Sequence, residues 1–156
     1  MEVPSARHLL GPALRGYRSA PLEVTIERGR LRHFAKAIGE TDPLWCDEAA
    51  AHAAGYPALP VPPTFLFCLE MERPDPYDWF AECGIPLGKV LHGEQSFTYH
   101  APCHAGDVLR FEGEIVDVYA KKGGALEFIV QRHRVTNQQG VLVAEFDRTL
   151  VVRHLP

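Results

Sequence analysis

In the first half of the chain apolar residues recur at helical spacing, and beyond Pro86 they fall at every second position. Leu31, Phe34, Ala35 and Ile38 share one stripe, with Thr25 as a candidate N-cap and Gly39 as a stop. This predicts an amphipathic helix from about Ile26 to Ile38. Asp47 can cap a second, alanine-rich helix over Glu48–Ala54, which Gly55 would end at the C′ position. Pro62 and Pro63 then open a segment, Thr64–Met71, in which Phe65, Leu66, Phe67, Cys68, Leu69 and Met71 leave almost no polar face. A helix apolar all round has to be buried.

Beyond Pro86 the turn signals Lys121-Lys122-Gly123-Gly124 and Asn137-Gln138-Gln139-Gly140 separate strands, and four antiparallel strands follow. Three inward faces are predicted: Leu109, Phe111 and Ile115; Leu126, Phe128 and Val130; and Leu142, Ala144, Phe146, Leu150 and Val152. The alternation slips after Gly113 and again near Arg132, which predicts bulges or strong coiling and a sheet able to curve. Helices first and strands afterwards make an α+β chain, a curved antiparallel sheet around one buried helix. The 156 residues read as one domain, with residues 1–15 as a lead-in, ordered or frayed.

The stretch from Phe34 to Trp45 carries the chemistry. Its end, Gly39-Glu40-Thr41-Asp42-Pro43-Leu44-Trp45, resembles the hydratase motif Gly-Asp-x-Asn-Pro-x-His of MaoC-like dehydratases and (R)-specific enoyl-CoA hydratases, whose Asp and His address one water molecule. Further segments agree in order and spacing: Asp47-Glu48-Ala49-Ala50 with Ala54-Gly55-Tyr56, Val61-Pro62-Pro63-Thr64-Phe65, and Leu91-His92-Gly93-Glu94-Gln95-Ser96-Phe97-Thr98-Tyr99-His100. Pro102 and Ala105-Gly106-Asp107 continue the likeness, which covers about Leu10 to Arg153 and is closest to the N-terminal half of such dehydratases. The resemblance implies a hot-dog fold. It also implies an acyl-CoA or acyl-carrier-protein thioester as ligand, with Asp42, Pro43, Pro63, Thr64 and Phe65 at the substrate, no cofactor, and a homodimer or a heteromer with a catalytic MaoC-like subunit.

In this sequence Glu40 stands for the family's Asp, Asp42 for its Asn and Trp45 for its catalytic His. Hydration of an enoyl thioester needs one group to take a proton from water, one to deliver a proton to the α carbon, and a donor for the enolate-like oxygen. An indole has no basic nitrogen, so Trp45 cannot exchange that proton. The resemblance therefore implies a degenerate subunit that forms the acyl channel beside a catalytic partner. Two other readings stay open: a self-sufficient hydratase using Glu40 or His92, and a homodimeric acyl-CoA or small-ligand binder. A hot-dog thioesterase is a weaker fourth, with Glu70 as its one acid on the central helix.

Charge and cysteine content narrow the classes further. A net charge of -4 argues against broad attraction to nucleic acid or an anionic membrane, and no apolar run reaches the roughly 20 residues of a membrane span. Cys46, Cys68, Cys83 and Cys103 have no paired spacing, which reads as reduced thiols in a cytoplasm. The remaining candidates have plain alternatives. His92 and Glu94 would share a strand face as a replacement acid/base pair, or else be satisfied within the strand. His100, Cys103 and His104 lack metal-ligand spacing, Cys46 lacks a base, and Lys121-Lys122 fits a solvated hairpin tip better than a phosphate site.

Overall fold

The computed structural model describes residues 9–154. In chain order its elements are β1 (Leu22–Thr25), α1 (Arg28–Ala37), α2 (Glu48–Ala53), α3 (Phe65–Glu70), α4 (Asp78–Glu82), β2 (Val90–Tyr99), β3 (Val108–Lys121), β4 (Leu126–Thr136) and β5 (Leu142–Arg153). The strands form one antiparallel sheet in the order β1-β3-β4-β5-β2, so β1 and β2 are its edges. Helix α3 lies on the inner face, where Phe65, Leu66 and Leu69 pack with Leu109, Phe111, Val135, Ala144 and Phe146. A second apolar cluster joins Trp79, Phe80 and Ile85 to Ile115, Ile129, Leu150 and Val152 at the other end of the sheet.

Several expectations change in register. Thr25 does not cap α1, because Leu22–Thr25 pairs with Val108–Phe111 as an additional strand, and α1 begins only after Glu27. Local periodicity could not reveal a partner more than eighty residues away. On β4 the inward face carries Glu127, Ile129, Gln131, His133 and Val135, and Leu126, Phe128 and Val130 are only half-buried. The predicted face is inverted because the polar residues find interior partners: Glu127 accepts hydrogen bonds from the Leu10 and Gly11 N–H groups at 2.9 and 2.7 Å and contacts His154 at 3.0 Å. The same bonds hold the lead-in from Leu10 onward, and residues 1–8 lie outside the described residues.

The pairing slips between Ile115 and Asp117, close to where the first irregularity was expected; the others fall between His92 and Glu94 and between Val135 and Thr136, not at Arg132. Gly93 occupies the bulge on β2, where a Cβ would lie 2.8 Å from Val151 Cγ2 and 3.2 Å from the Thr149 carbonyl. Only glycine lets the strands approach so closely. Helix α3 is shorter than its apolar run, and Phe67 and Cys68 on one side are half-buried.

Candidate functional site

The hydratase-like loop is defined at both ends by helix chemistry. Gly39, at φ 74°, ends α1: its N–H donates to the Lys36 carbonyl at 3.1 Å and the Glu40 N–H donates to the Ala35 carbonyl at 2.9 Å. This is a Schellman stop, and it delivers Glu40 to the loop. The Glu40 carboxylate accepts from the N–H groups of Thr41 and Asp42 at 2.8 and 3.0 Å. Asp42 accepts from Leu44 N–H at 2.9 Å, and Asp47 caps α2 by accepting from Ala49 N–H at 2.8 Å. All three carboxylates hold backbone. Arg32 Nε donates to the Cys46 carbonyl at 3.0 Å, fastening the loop to α1. Pro43 is exposed and Trp45 half-buried.

The start of α3 is tied to the turn between β2 and β3. Val61 N–H donates to the Cys103 carbonyl at 3.0 Å, and Ala105 N–H to the Leu59 carbonyl at 2.8 Å. Pro63 and Thr64 remain exposed, while Phe65 turns into the core, its ring 4.9 Å from Phe34. Beside Pro63 an apolar groove of about 340 Å³ is walled by Val61, Leu66, Tyr99, Pro102, Cys103 and Val143. Burial, and then the nearby Asp107, push the Cys103 thiol up to about 12, so it is a wall and not a nucleophile.

The bulge separates His92 from Glu94: the imidazole Nε2 lies 3.0 Å from the Glu94 carbonyl oxygen, a backbone group, and the ring sits 5.5 Å from Phe67. His100 contacts Glu145 at 3.1 Å and His104 lies 3.6 Å from Asp107. Among the described residues no three His, Cys, Asp or Glu side chains converge as a metal site. Lys121 extends over the stacked rings of Tyr119 and Phe128.

A polar belt that sequence reasoning missed crosses the interior at the far end of α3. Glu70 is 2% exposed; its Oε1 lies 3.4 Å from both Arg73 Nε and His133 Nε2, and its Oε2 lies 3.4 Å from Arg148 Nη1. Arg148 also donates to Gln131 Oε1 at 2.5 Å. Burial alone would raise the Glu70 carboxyl, but its contact with His133 and the charges of Arg148 and Arg73 outweigh burial and lower it. Burial, helped by both guanidiniums, lowers His133 against the pull of Glu70, so the imidazole is neutral and the carboxylate ionised. Glu70 is thus enclosed in the interior between two guanidiniums. The one legible signal was Glu70 itself, a carboxylate in an apolar helix.

Residues 13–146 match the family described as FAS1-like, dehydratase domain region. A UPF0336 protein of Saccharopolyspora erythraea is 38% identical over 128 residues, 82% of this chain and 81% of that one. One from Streptomyces coelicolor is 33% identical over 135 residues, 86% of this chain and 87% of that one. Among solved structures, the HadBC (3R-hydroxyacyl-ACP dehydratase) complex from Mycobacterium tuberculosis superposes with TM-score 0.78 and 31% identity over 88% of this chain and 96% of the matched chain. The R-hydratase PhaJ1 from Pseudomonas aeruginosa superposes with TM-score 0.68 and 19% identity over 89% of this chain and 81% of that one, a likeness of fold. The fold is the α+β hot-dog fold of MaoC-like dehydratases. Among the described residues no helix is long and apolar enough to cross a membrane.

Proposed function

We propose that this chain, which belongs to the FAS1-like dehydratase region family, is the non-catalytic, acyl-channel half of a (3R)-hydroxyacyl-thioester dehydratase or enoyl-CoA hydratase. One observation carries the reading: in the hydratase-like loop the His position is Trp45, and the carboxylates of Glu40 and Asp42 bond to the loop's own backbone. A general base needs a titrating group within reach of water at the reacting carbon. The Glu40 oxygen that would take the proton is already engaged by two backbone N–H groups of the loop.

The part the chain does play follows from what remains. Pro63 stands exposed at the mouth of the apolar groove, and the groove's size suits the tail of an acyl thioester on coenzyme A or acyl carrier protein. Chemistry then falls to a second hot-dog subunit with an intact Asp and His. Strand β2 favours such a partner: it is a ten-residue edge strand with Leu91 49% and Tyr99 47% exposed, a row of backbone groups that another chain's strand can cover. The matched HadBC structure is itself a complex.

The test is co-purification and turnover. Mixed with a hot-dog subunit carrying Gly-Asp-x-Asn-Pro-x-His, the chain should form a heteromer on size exclusion that hydrates trans-2-enoyl thioesters faster than that subunit alone. A partner whose rate and elution are indifferent to this chain sinks the proposal.

A further inference from the structure

The apolar groove beside Pro63 has an open rim and a closed floor. Pro63, Tyr99 and Pro102 on its rim are exposed, whereas Leu66, Cys103 and Val143 at its bottom are 2%, 6% and 1% exposed. Behind these three lies packed interior, since all of them belong to one buried apolar cluster with Val135, Ala144 and Phe146. An interior packed to the density of an organic crystal has no room for a further methylene. The groove is therefore blind.

Its floor is also fixed. Val61 N–H donates to the Cys103 carbonyl at 3.0 Å, and the His100 and Ala101 N–H groups both donate to the Val143 carbonyl, at 2.8 and 3.1 Å. These bonds tie the segment leading into α3 to the β2–β3 turn, and that turn to β5. Pro63 and Pro102 lock φ at two further wall positions. Walls held in this way do not lengthen for a longer guest, and the excess chain stays in water. Size then sets the guest. A dry cavity of roughly 150 Å³ holds the six carbons of benzene, or about 25 Å³ per carbon. On that scale the groove, at about 340 Å³, accommodates about 13 heavy atoms. The carbon, oxygen and sulfur of a thioester take about three of these at the mouth, which leaves roughly ten for the tail.

We infer that Leu66, Cys103 and Val143 are the specificity-determining floor of the groove, which takes acyl tails of up to about ten carbons and gains nothing from longer ones. The inference rests on the thioester reading above. Each methylene that enters the groove tightens binding by about three- to fourfold, the factor that its transfer out of water supplies. A methylene that cannot pass the floor stays hydrated and adds nothing.

The experiment is calorimetric titration of the purified chain with acyl-CoA esters from butyryl to palmitoyl, each below its micelle-forming concentration. Affinity should climb about three- to fourfold per methylene to near decanoyl-CoA, and stay level within about twofold from dodecanoyl- to palmitoyl-CoA. Val143→Ala deepens the floor and should move the break to a tail longer by about two carbons; Val143→Leu raises it and should move the break to a tail shorter by about one. Cys103→Ala is a second deepening variant should a Val143 variant not fold. Ile129→Val, a buried change in the other apolar cluster, should leave the break in place. An affinity that rises steadily through palmitoyl-CoA, one equal at every length, a break that Ile129→Val moves as far, or folded floor variants with an unmoved break overturns the floor and leaves the thioester reading standing. If no ester binds, the thioester reading falls and takes the floor with it.

Discussion

Replacing Arg148 with Met tests the belt as a unit. Arg148 is 3% exposed and bridges Glu70 on α3 to Gln131 on β4, so its loss frees a carboxylate that is itself 2% exposed and leaves Gln131 Oε1 without its donor. Breaking a buried ion pair from one side costs about 3 to 5 kcal/mol, because the remaining charge stays buried. Arg73 and His133 still touch Glu70 at 3.4 Å, which puts the expected loss near the lower bound of about 3 kcal/mol. Urea denaturation would read it as a lower midpoint with an unchanged slope. The triple variant Glu70→Leu/Arg73→Met/Arg148→Met removes the carboxylate together with both guanidiniums that face it and should recover at least half the loss. A single variant as stable as the natural chain, or a triple variant no better than the single, refutes this account of the belt.

Other predictions follow from the same packing. His133 is held below its ordinary 6.5 and Glu70 below its ordinary 4.5, so the unfolded chain binds more protons in acid. Stability should therefore be full above about pH 6.5, decline below it through His133, and decline further below 4.5 through Glu70, as thermal melts across that range would report; a flat profile would contradict it. Gly113→Ala would put a methyl 2.7 Å from Ser19 Oγ and 3.0 Å from His133 Nε2, so a loss of about 1 to 3 kcal/mol is expected on denaturation, and a neutral result would show that the interior gives way. Phe67→Ala should cost less than the roughly 3 to 5 kcal/mol of a fully enclosed ring, because Phe67 is half-buried; a cost in that range would place the ring in the core.

The legible parts of this chain were those governed by near neighbours in sequence. Gly39 and Gly55 end α1 and α2 as expected, Asp47 caps α2, and the Asn137–Gly140 turn forms with Asn137 Oδ1 accepting from the N–H groups of Gln139 and Val141. The hydratase-like loop was legible for the same reason, since the bonds its carboxylates accept reach only one or two residues. What escaped is held by distant partners. Leu22–Thr25 becomes a strand only because β3 is there to pair with it. The inward face of β4 was misread because Glu127, Gln131 and His133 look like surface residues until Leu10, Gly11, Arg148 and Glu70 supply their interior contacts. The belt, assembled from α3, β4 and β5, has no local signature beyond Glu70.

The measurement that most directly tests the central claim is hydration of crotonyl-CoA and longer trans-2-enoyl-CoA esters by the pure chain, beside the variant Glu40→Asp/Asp42→Asn/Trp45→His. With Trp45 in place of the motif's His, the natural chain should stay at background. The variant should show measurable turnover below ordinary family rates, since misplacement of about 1 Å can cost a hundredfold. Robust turnover by the natural chain alone would contradict the account, and loss of that rate in Glu40→Gln or in His92→Ala would then identify the group that moves the proton.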